Sequence, residues 1–167
     1  MRKAEELIFD SQKIKYCIQR IAYQIYEANF DRKTLYVVGI AKNGEVHARL
    51  LVEQLEKITP LEVHFVQLML NKKDPHQPIS CSHPLTALTD QSVVLVDDVL
   101  NTGSTLMYAV KYLLAVPLAQ LNTAVLVNRN HKKYPVKADF KGISLSTTVN
   151  EHIEVCFEGE QAGIYLR

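Results

Sequence analysis

A chain of 167 residues, 47% hydrophobic and 22% charged, has the size and make-up of one globular domain with a full core. Its formal net charge of +1 excludes a global attraction to nucleic acid or membrane, so any basic surface must come from local clustering. No apolar run approaches the ~18 residues of a membrane span, the start carries Glu5-Glu6 and does not read as a secretory leader, and Cys17, Cys81 and Cys156 lie far apart; a cytoplasmic protein with reduced thiols, no disulfide framework and no zinc site is expected.

In chain order, Ser11 to Asn29 carries apolar residues at Ile14, Cys17, Ile18, Ile21, Ala22 and Ile25, a helical stripe that Asp10 or Ser11 can cap. Leu35 to Ile40 is a short β-rich run, read as a buried strand. Glu45 to Ile58 is helical again, with Val46, Leu50, Leu51, Leu55 and Ile58 apolar, and Thr59-Pro60 stops it. Leu61 to Leu70 reads as a second strand. Asn71 to Thr89 breaks the pattern: three prolines and no periodicity predict disorder or a functional lid. Ser92 to Asp97 is a near-continuous apolar strand of the kind found inside a parallel sheet. Ser104 to Val116 is a helix ended by Pro117, Asn122 to Val127 a strand, and Ile143–Leu145 and Ile153–Phe157 are β-rich. The alternation predicts one α/β domain, residues 1–167, with a mostly parallel central sheet flanked by helices.

The informative segment runs from Val93 to Thr105. An apolar strand ends in Asp97-Asp98; a loop of Asn101, Thr102, Gly103, Ser104 and Thr105 follows, and a helix starts at once. Ligands of open α/β sheets sit at the carboxyl ends of strands. Unpaired amides at a helix start, with the positive end of its dipole, favour a phosphate. Hydroxyls at 102, 104 and 105 add donors, and Gly103 lets the backbone come close to an anion. Two carboxylates beside a phosphate need another purpose: accepting from vicinal sugar hydroxyls, or holding hydrated magnesium. Phosphate plus diol describes a ribose phosphate. The ordinary alternative, a solvated strand end beside a helix cap, explains each piece but not their order.

This segment closely resembles the phosphoribosyl-pyrophosphate motif of the type I phosphoribosyltransferases. The resemblance implies that fold, with a small hood from parts of 1–15 and 128–167 and a flexible lid at 69–90. It implies that Asp97 and Asp98 contact the ribose hydroxyls, act in catalysis and hold Mg2+, directly or through water, while Asn101 to Thr105 cradle the 5-phosphate. Lys42, Asn43 and Gly44, after the first strand, fall where the family binds pyrophosphate; read alone they are also a plain strand-to-helix turn. Lys72 or Lys73 in the lid can reach the leaving pyrophosphate or be solvated charges; His76 and His83 read as loop-surface residues.

Residues 126–143 widen the likeness. They resemble the bifunctional pyrimidine-operon attenuator/uracil phosphoribosyltransferase branch, which carries Asp-Arg-Gly-His and Pro-Ile-Arg-Ala-Asp-Tyr. Here Asn128 and Asn130 depart from that pattern, and Lys137 stands for an arginine. A lysine there is similar to the purine-salvage enzymes, which makes Lys137 the expected base-recognition residue, donating to a carbonyl oxygen. The branch implies a cytoplasmic dimer acting on phosphoribosyl pyrophosphate and a nucleobase or nucleoside monophosphate, uracil favoured and a 6-oxopurine open. It also implies a possible RNA-binding face from Arg20, Lys132, Lys133, Lys137 and Lys141, the basis of an alternative reading as a regulator with little catalysis. A receiver-type signalling domain also opens on Val-Leu-Val-Asp-Asp, but there the acid pair follows the first strand, whereas here it lies past the middle.

Overall fold

The β-rich runs assemble into two sheets in a computed structural model, which describes residues 5–167. The part of the expected hood at 1–4 lies outside the described residues. The order is β1 (Glu6–Asp10), α1 (Ser11–Asn29), β2 (Thr34–Ile40), α2 (Asn43–Ile58), β3 (Glu62–Met69), β4 (Ser80–Cys81), a 3-10 turn (Leu85–Leu88), β5 (Ser92–Leu100), α3 (Ser104–Leu113), β6 (Gln120–Arg129), β7 (Phe140–Leu145), β8 (Ile153–Cys156) and β9 (Gly163–Leu166).

The larger sheet has the order β4-β3-β2-β5-β6-β7. Every pair in it is parallel except the short β4 hairpin on β3. β5 is central and buried on both faces, which is why it reads as an unbroken apolar run. Successive residues feed opposite cores: Val94 and Val96 join the stripe of α1 and the face of α2, while Val93 and Leu95 join Leu106, Ala109 and Leu113 of α3. Asp10 caps α1, its carboxylate accepting from the Lys13 amide at 2.9 Å.

Two features differ from the sequence reading. β5 does not end at Asp97; it runs on to Leu100, with Val99 and Leu100 paired to Val127 and Asn128. The acids are therefore held in a hydrogen-bonded ladder, not on a loose strand end. Residues 71–89 are also not uniformly open chain. Ser80 and Cys81 pair with Met69 and Leu68, and Leu88 is fully buried in the α3-side core. Apolar packing fixes the later half of that segment, so the lid expectation bears on 71–79.

The hood is a second, antiparallel sheet in the order β1-β9-β8. It joins a strand from each end of the described chain, and ion pairs from Arg167 to Glu5 and Glu154 tie its edge.

Candidate functional site

The acid pair lies where three packed elements meet. Asp97 is only 2% exposed, and Asp98 is partly buried. α2 approaches β5 so closely here that a Cβ on Gly44 would stand 2.9 Å from Asp97 Oδ1 and from the Val96 carbonyl oxygen. Gly44 was expected as a backbone donor to pyrophosphate; in the structure it permits this contact between helix and strand. The Asn43 amide donates to Asp98 Oδ2 and to the Val155 carbonyl, both at 3.1 Å, linking the acid pair to the hood. The Ala41–Lys42 peptide is cis.

A cation reaches the acids from the segment that follows β3. Lys72 Nζ lies 2.8 Å from Asp97 Oδ1 and 3.5 Å from Asp98 Oδ1. Burial pushes the Asp97 carboxyl up to about 7, against the pull of the Lys72 ammonium. Burial works upward on Asp98 too, but Lys72 and hydrogen bonds from Asn43 and the Val99 amide hold it below the usual carboxylate range. Burial alone would lower the Lys72 pKa; the two carboxylates outweigh it and raise it.

Behind the acids sits His47, which the sequence reading passed over. It is fully buried, stacks on Phe157, and its Nδ1 lies 3.0 Å from the Asp97 carbonyl oxygen. Burial lowers its pKa to about 4 from 6.5, so it is neutral in the fold. The unfolded chain takes up a proton near pH 6.5, so His47 makes stability fall as pH drops from 6.5 towards 4. Asp97 acts with the opposite sign. Its folded pKa of about 7 lies above the ordinary 3.8, so its contribution is full below 3.8 and is lost as pH rises through 7. Between those limits the two slopes cancel. His47→Gln removes one of them. The variant's stability, read from urea midpoints at about pH 4.5 and about pH 6.5, is expected to fall with rising pH by about 1.4 kcal/mol per unit relative to wild type. Parallel profiles for the two proteins would show that His47 does not carry this linkage.

Beyond the acids the chain turns into α3. Asp97, Asn101, Thr102, Gly103 and Thr105 line a small cavity of about 50 Å³. Gly103, at the start of α3, offers no side-chain cap; the Ser104 amide donates to Thr102 Oγ1 at 3.3 Å, and the rest of the helix start can meet an anion. Gly103 has φ +88°, and a Cβ there would come within 2.6 Å of Val136 Cγ1, so glycine is required twice over. The Thr102 carbonyl accepts from the amides of Lys133 and Tyr134 at 2.8 and 3.1 Å. Buried Arg129 donates to Asn101 Oδ1 at 3.3 Å and to the Thr148 carbonyl at 2.7 Å. The segment after β6 thus buttresses the loop, a role only long-range contacts reveal.

A second, wider cavity of about 600 Å³ adjoins the acids and is lined by Ala41, Lys42, Asn43, Leu70 to Lys73 and Asp98. Three lysines, Lys42, Lys72 and Lys73, face one space. The structure therefore brings the expected acid pair, phosphate loop and Lys42-Asn43 turn together. Lys137 lines neither cavity; its side chain is 81% exposed and its ammonium lies 3.6 Å from Asp139. Of the expected basic face, Lys132, Lys133, Lys137 and Lys141 are exposed. Arg20 is committed elsewhere, donating to the carbonyls of Lys141 and Gly142 at 3.1 and 2.6 Å. Among the described residues no group of three or more His, Cys, Asp or Glu is placed to hold a metal, and no helix is long and apolar enough to cross a membrane.

Residues 5–158 match the phosphoribosyl transferase domain family. The chain is similar to the bifunctional protein PyrR of Geobacter sulfurreducens, 36% identical over 161 residues covering 91% of this chain and 90% of that protein. It is similar to the bifunctional protein PyrR of Bacillus subtilis, 33% identical with 89% and 88% covered. Its fold is similar to the hypoxanthine phosphoribosyltransferase of Trypanosoma cruzi, with a TM-score of 0.81, 18% identity, and 98% and 96% of the two chains covered. A hypoxanthine-guanine phosphoribosyltransferase of Bacillus anthracis superposes with a TM-score of 0.76 at 16% identity, covering 96% and 95%.

Proposed function

This chain belongs to the phosphoribosyl transferase family, enzymes of pentosyl-group transfer, and on that premise we propose that it moves the 5-phosphoribosyl group of phosphoribosyl pyrophosphate onto a nucleobase, uracil favoured and a 6-oxopurine second, releasing pyrophosphate. The observation that carries the reading is the adjacency of three subsites: a cavity of phosphate size at Asn101–Thr105, the Asp97–Asp98 pair, and a lysine-lined space beyond it. Phosphate, diol and diphosphate follow one another along the sugar donor in that order.

In this reading the loop amides and the hydroxyls of Thr102, Ser104 and Thr105 hold the 5-phosphate. Asp97 and Asp98 accept from the ribose hydroxyls and face the positive charge that builds on the sugar as its bond to diphosphate breaks. Lys42 and Asn43 meet the diphosphate, and Lys137 turns its exposed ammonium to a carbonyl oxygen of the base. The protein's main task is to hold the two reactants in line, so no nucleophilic side chain is needed. The donor set fits magnesium. Asp97 and Asp98 would supply carboxylate oxygens, the ligand type a hard divalent cation takes. When bound, magnesium neutralises charge on the departing group. In this reading the protein works in the cytoplasm as a dimer.

A steady-state assay with phosphoribosyl pyrophosphate and uracil, hypoxanthine or guanine, scored by pyrophosphate release, is expected to give turnover, with the highest kcat/KM for uracil. No turnover with any of the three refutes the reading for those bases.

The second reading, an RNA-binding or nucleotide-sensing regulator of pyrimidine genes on the same fold, is favoured by the similarity to proteins named as bifunctional and by the four exposed lysines. Four phosphate contacts predict that log K falls with log salt with a slope of about −3 for single-stranded RNA. No binding at low salt removes it.

A further inference from the structure

Lys72 is the one feature of the site that a sugar donor cannot leave in place. Its ammonium sits on the acid oxygens that the proposed function assigns to the ribose diol and the metal, 2.8 Å from Asp97 and 3.5 Å from Asp98. A hydroxyl pair or a divalent cation needs those same oxygens, and Asp97 Oδ1 already accepts from the Asp98 amide at 2.9 Å as well as from Lys72, so both of its lone pairs are taken until the ammonium leaves. The ammonium is also not locked in. Its side chain is 38% exposed, and it projects from the stretch 71–79, where the described hydrogen bonds are mostly short-range: Asn71 to Gln77, Lys73 to Asn71 and Asp74 to Asn71. The space it can turn into is the adjoining cavity, which it already lines together with Lys42 and Lys73.

We propose that Lys72 is a resident counter-ion of the acid pair: it neutralises Asp97 and Asp98 while the site is free, is displaced by the divalent cation and sugar diol, and then joins Lys42 and Lys73 on the diphosphate. The proposal rests on the phosphoribosyl-transfer reading and adds a residue to it. The exchange leaves the buried carboxylate with a cationic partner at each stage. Before loading, one ammonium faces two carboxylates, one of them buried and costly to leave unpaired. After loading, the divalent cation takes over that task, and the freed ammonium meets a highly charged anion in a cavity that otherwise offers two lysines. Lys72 on this account has two successive partners, the acid pair and then the diphosphate.

The exchange predicts effects of opposite sign on two simple probes. Removing the ammonium by Lys72→Met opens the carboxylates to a cation and weakens the hold on diphosphate. Calorimetric titration with Mn2+ alone is expected to show binding tightened by about tenfold or more in K72M, the size expected for losing one unit charge at this distance in a partly screened site. Titration with inorganic pyrophosphate in a chelating buffer is expected to show binding weakened by about tenfold. A side chain that merely braced the loop would move both affinities the same way. Lys72→Arg keeps the charge and is expected to retain the weak Mn2+ binding of wild type. The proposal is overturned if K72M binds Mn2+ no more tightly than wild type, or binds pyrophosphate as well as wild type does. Ribose 5-phosphate separates this from the underlying reading. If neither wild type nor K72M binds it, the phosphoribosyl site itself falls; if both bind it and the Mn2+ affinities are equal, only the counter-ion role falls.

Discussion

Replacing Asp97 and Asp98 together with asparagine is expected to lower kcat/KM for phosphoribosyl transfer by at least about a thousandfold, the order associated with removing preorganised charge from a transition state. Asparagine keeps the shape and the acceptor oxygen but removes the charge, so ribose hydroxyls still find partners while the positive sugar and the metal do not. The fold is expected to survive. Asp97 is almost wholly enclosed, and burial already pushes its carboxyl towards the neutral form; a neutral amide suits that environment. Lys72, the partner left behind, is partly exposed and can turn to solvent. Urea unfolding is therefore expected to place the double variant within about 1 kcal/mol of wild type. Retention of more than about a tenth of the wild-type kcat/KM would show that the charges are not where the transition state needs them.

Gly44→Ala is the second large effect, and it couples stability to chemistry. The added methyl would stand 2.9 Å from Asp97 Oδ1, 2.9 Å from the Val96 carbonyl oxygen and 3.0 Å from the Asp97 Cα. Two of those three atoms are backbone of the central strand, which cannot rotate aside, so α2 must move off β5. Overpacking of this kind destabilises by about 2 kcal/mol, equivalent to a Tm lower by about 4–8 °C for a domain of this size. The same shift pulls the Asn43 amide from Asp98, so the affinity for phosphoribosyl pyrophosphate is expected to drop at least about tenfold. Calorimetric scanning and ligand titration on one preparation check both. An unchanged melting temperature would mean that the strand and helix are less tightly seated than these distances require.

How much of this could be read from the chain alone depends on the range of the interactions involved. The helix from Ser11, the strand at Ser92 and the loop at Asn101–Thr105 were legible because each is written in local periodicity or in adjacent residues. The hood strands at Glu6–Asp10 and Gly163–Leu166 were not, since each is short and gains its pairing only from the other end of the described chain. β5 outran its apolar signature because ladder hydrogen bonds to β6 carry the backbone through Asp97 and Asp98. His47 lies on a buried stripe with Gly44, Ala48, Leu51 and Leu55; its spacing was visible, but its ring nitrogens disguised a core position. From the sequence, Lys72 and Lys73 read equally as pyrophosphate contacts or as solvated charges. The place of Lys72 on the carboxylates depends on a lid conformation that no local pattern encodes.

The guanidinium of Arg20 has a consequence for how the larger sheet ends. β7 is one of the two edge strands of the larger sheet, opposite β4, and a bare edge invites another polypeptide to continue the sheet. Arg20 reaches from α1 to occupy two of that strand's carbonyls, with Cys17 near the second. An incoming strand finds those acceptors already taken. Continuation of the sheet by another strand at that border is thereby disfavoured.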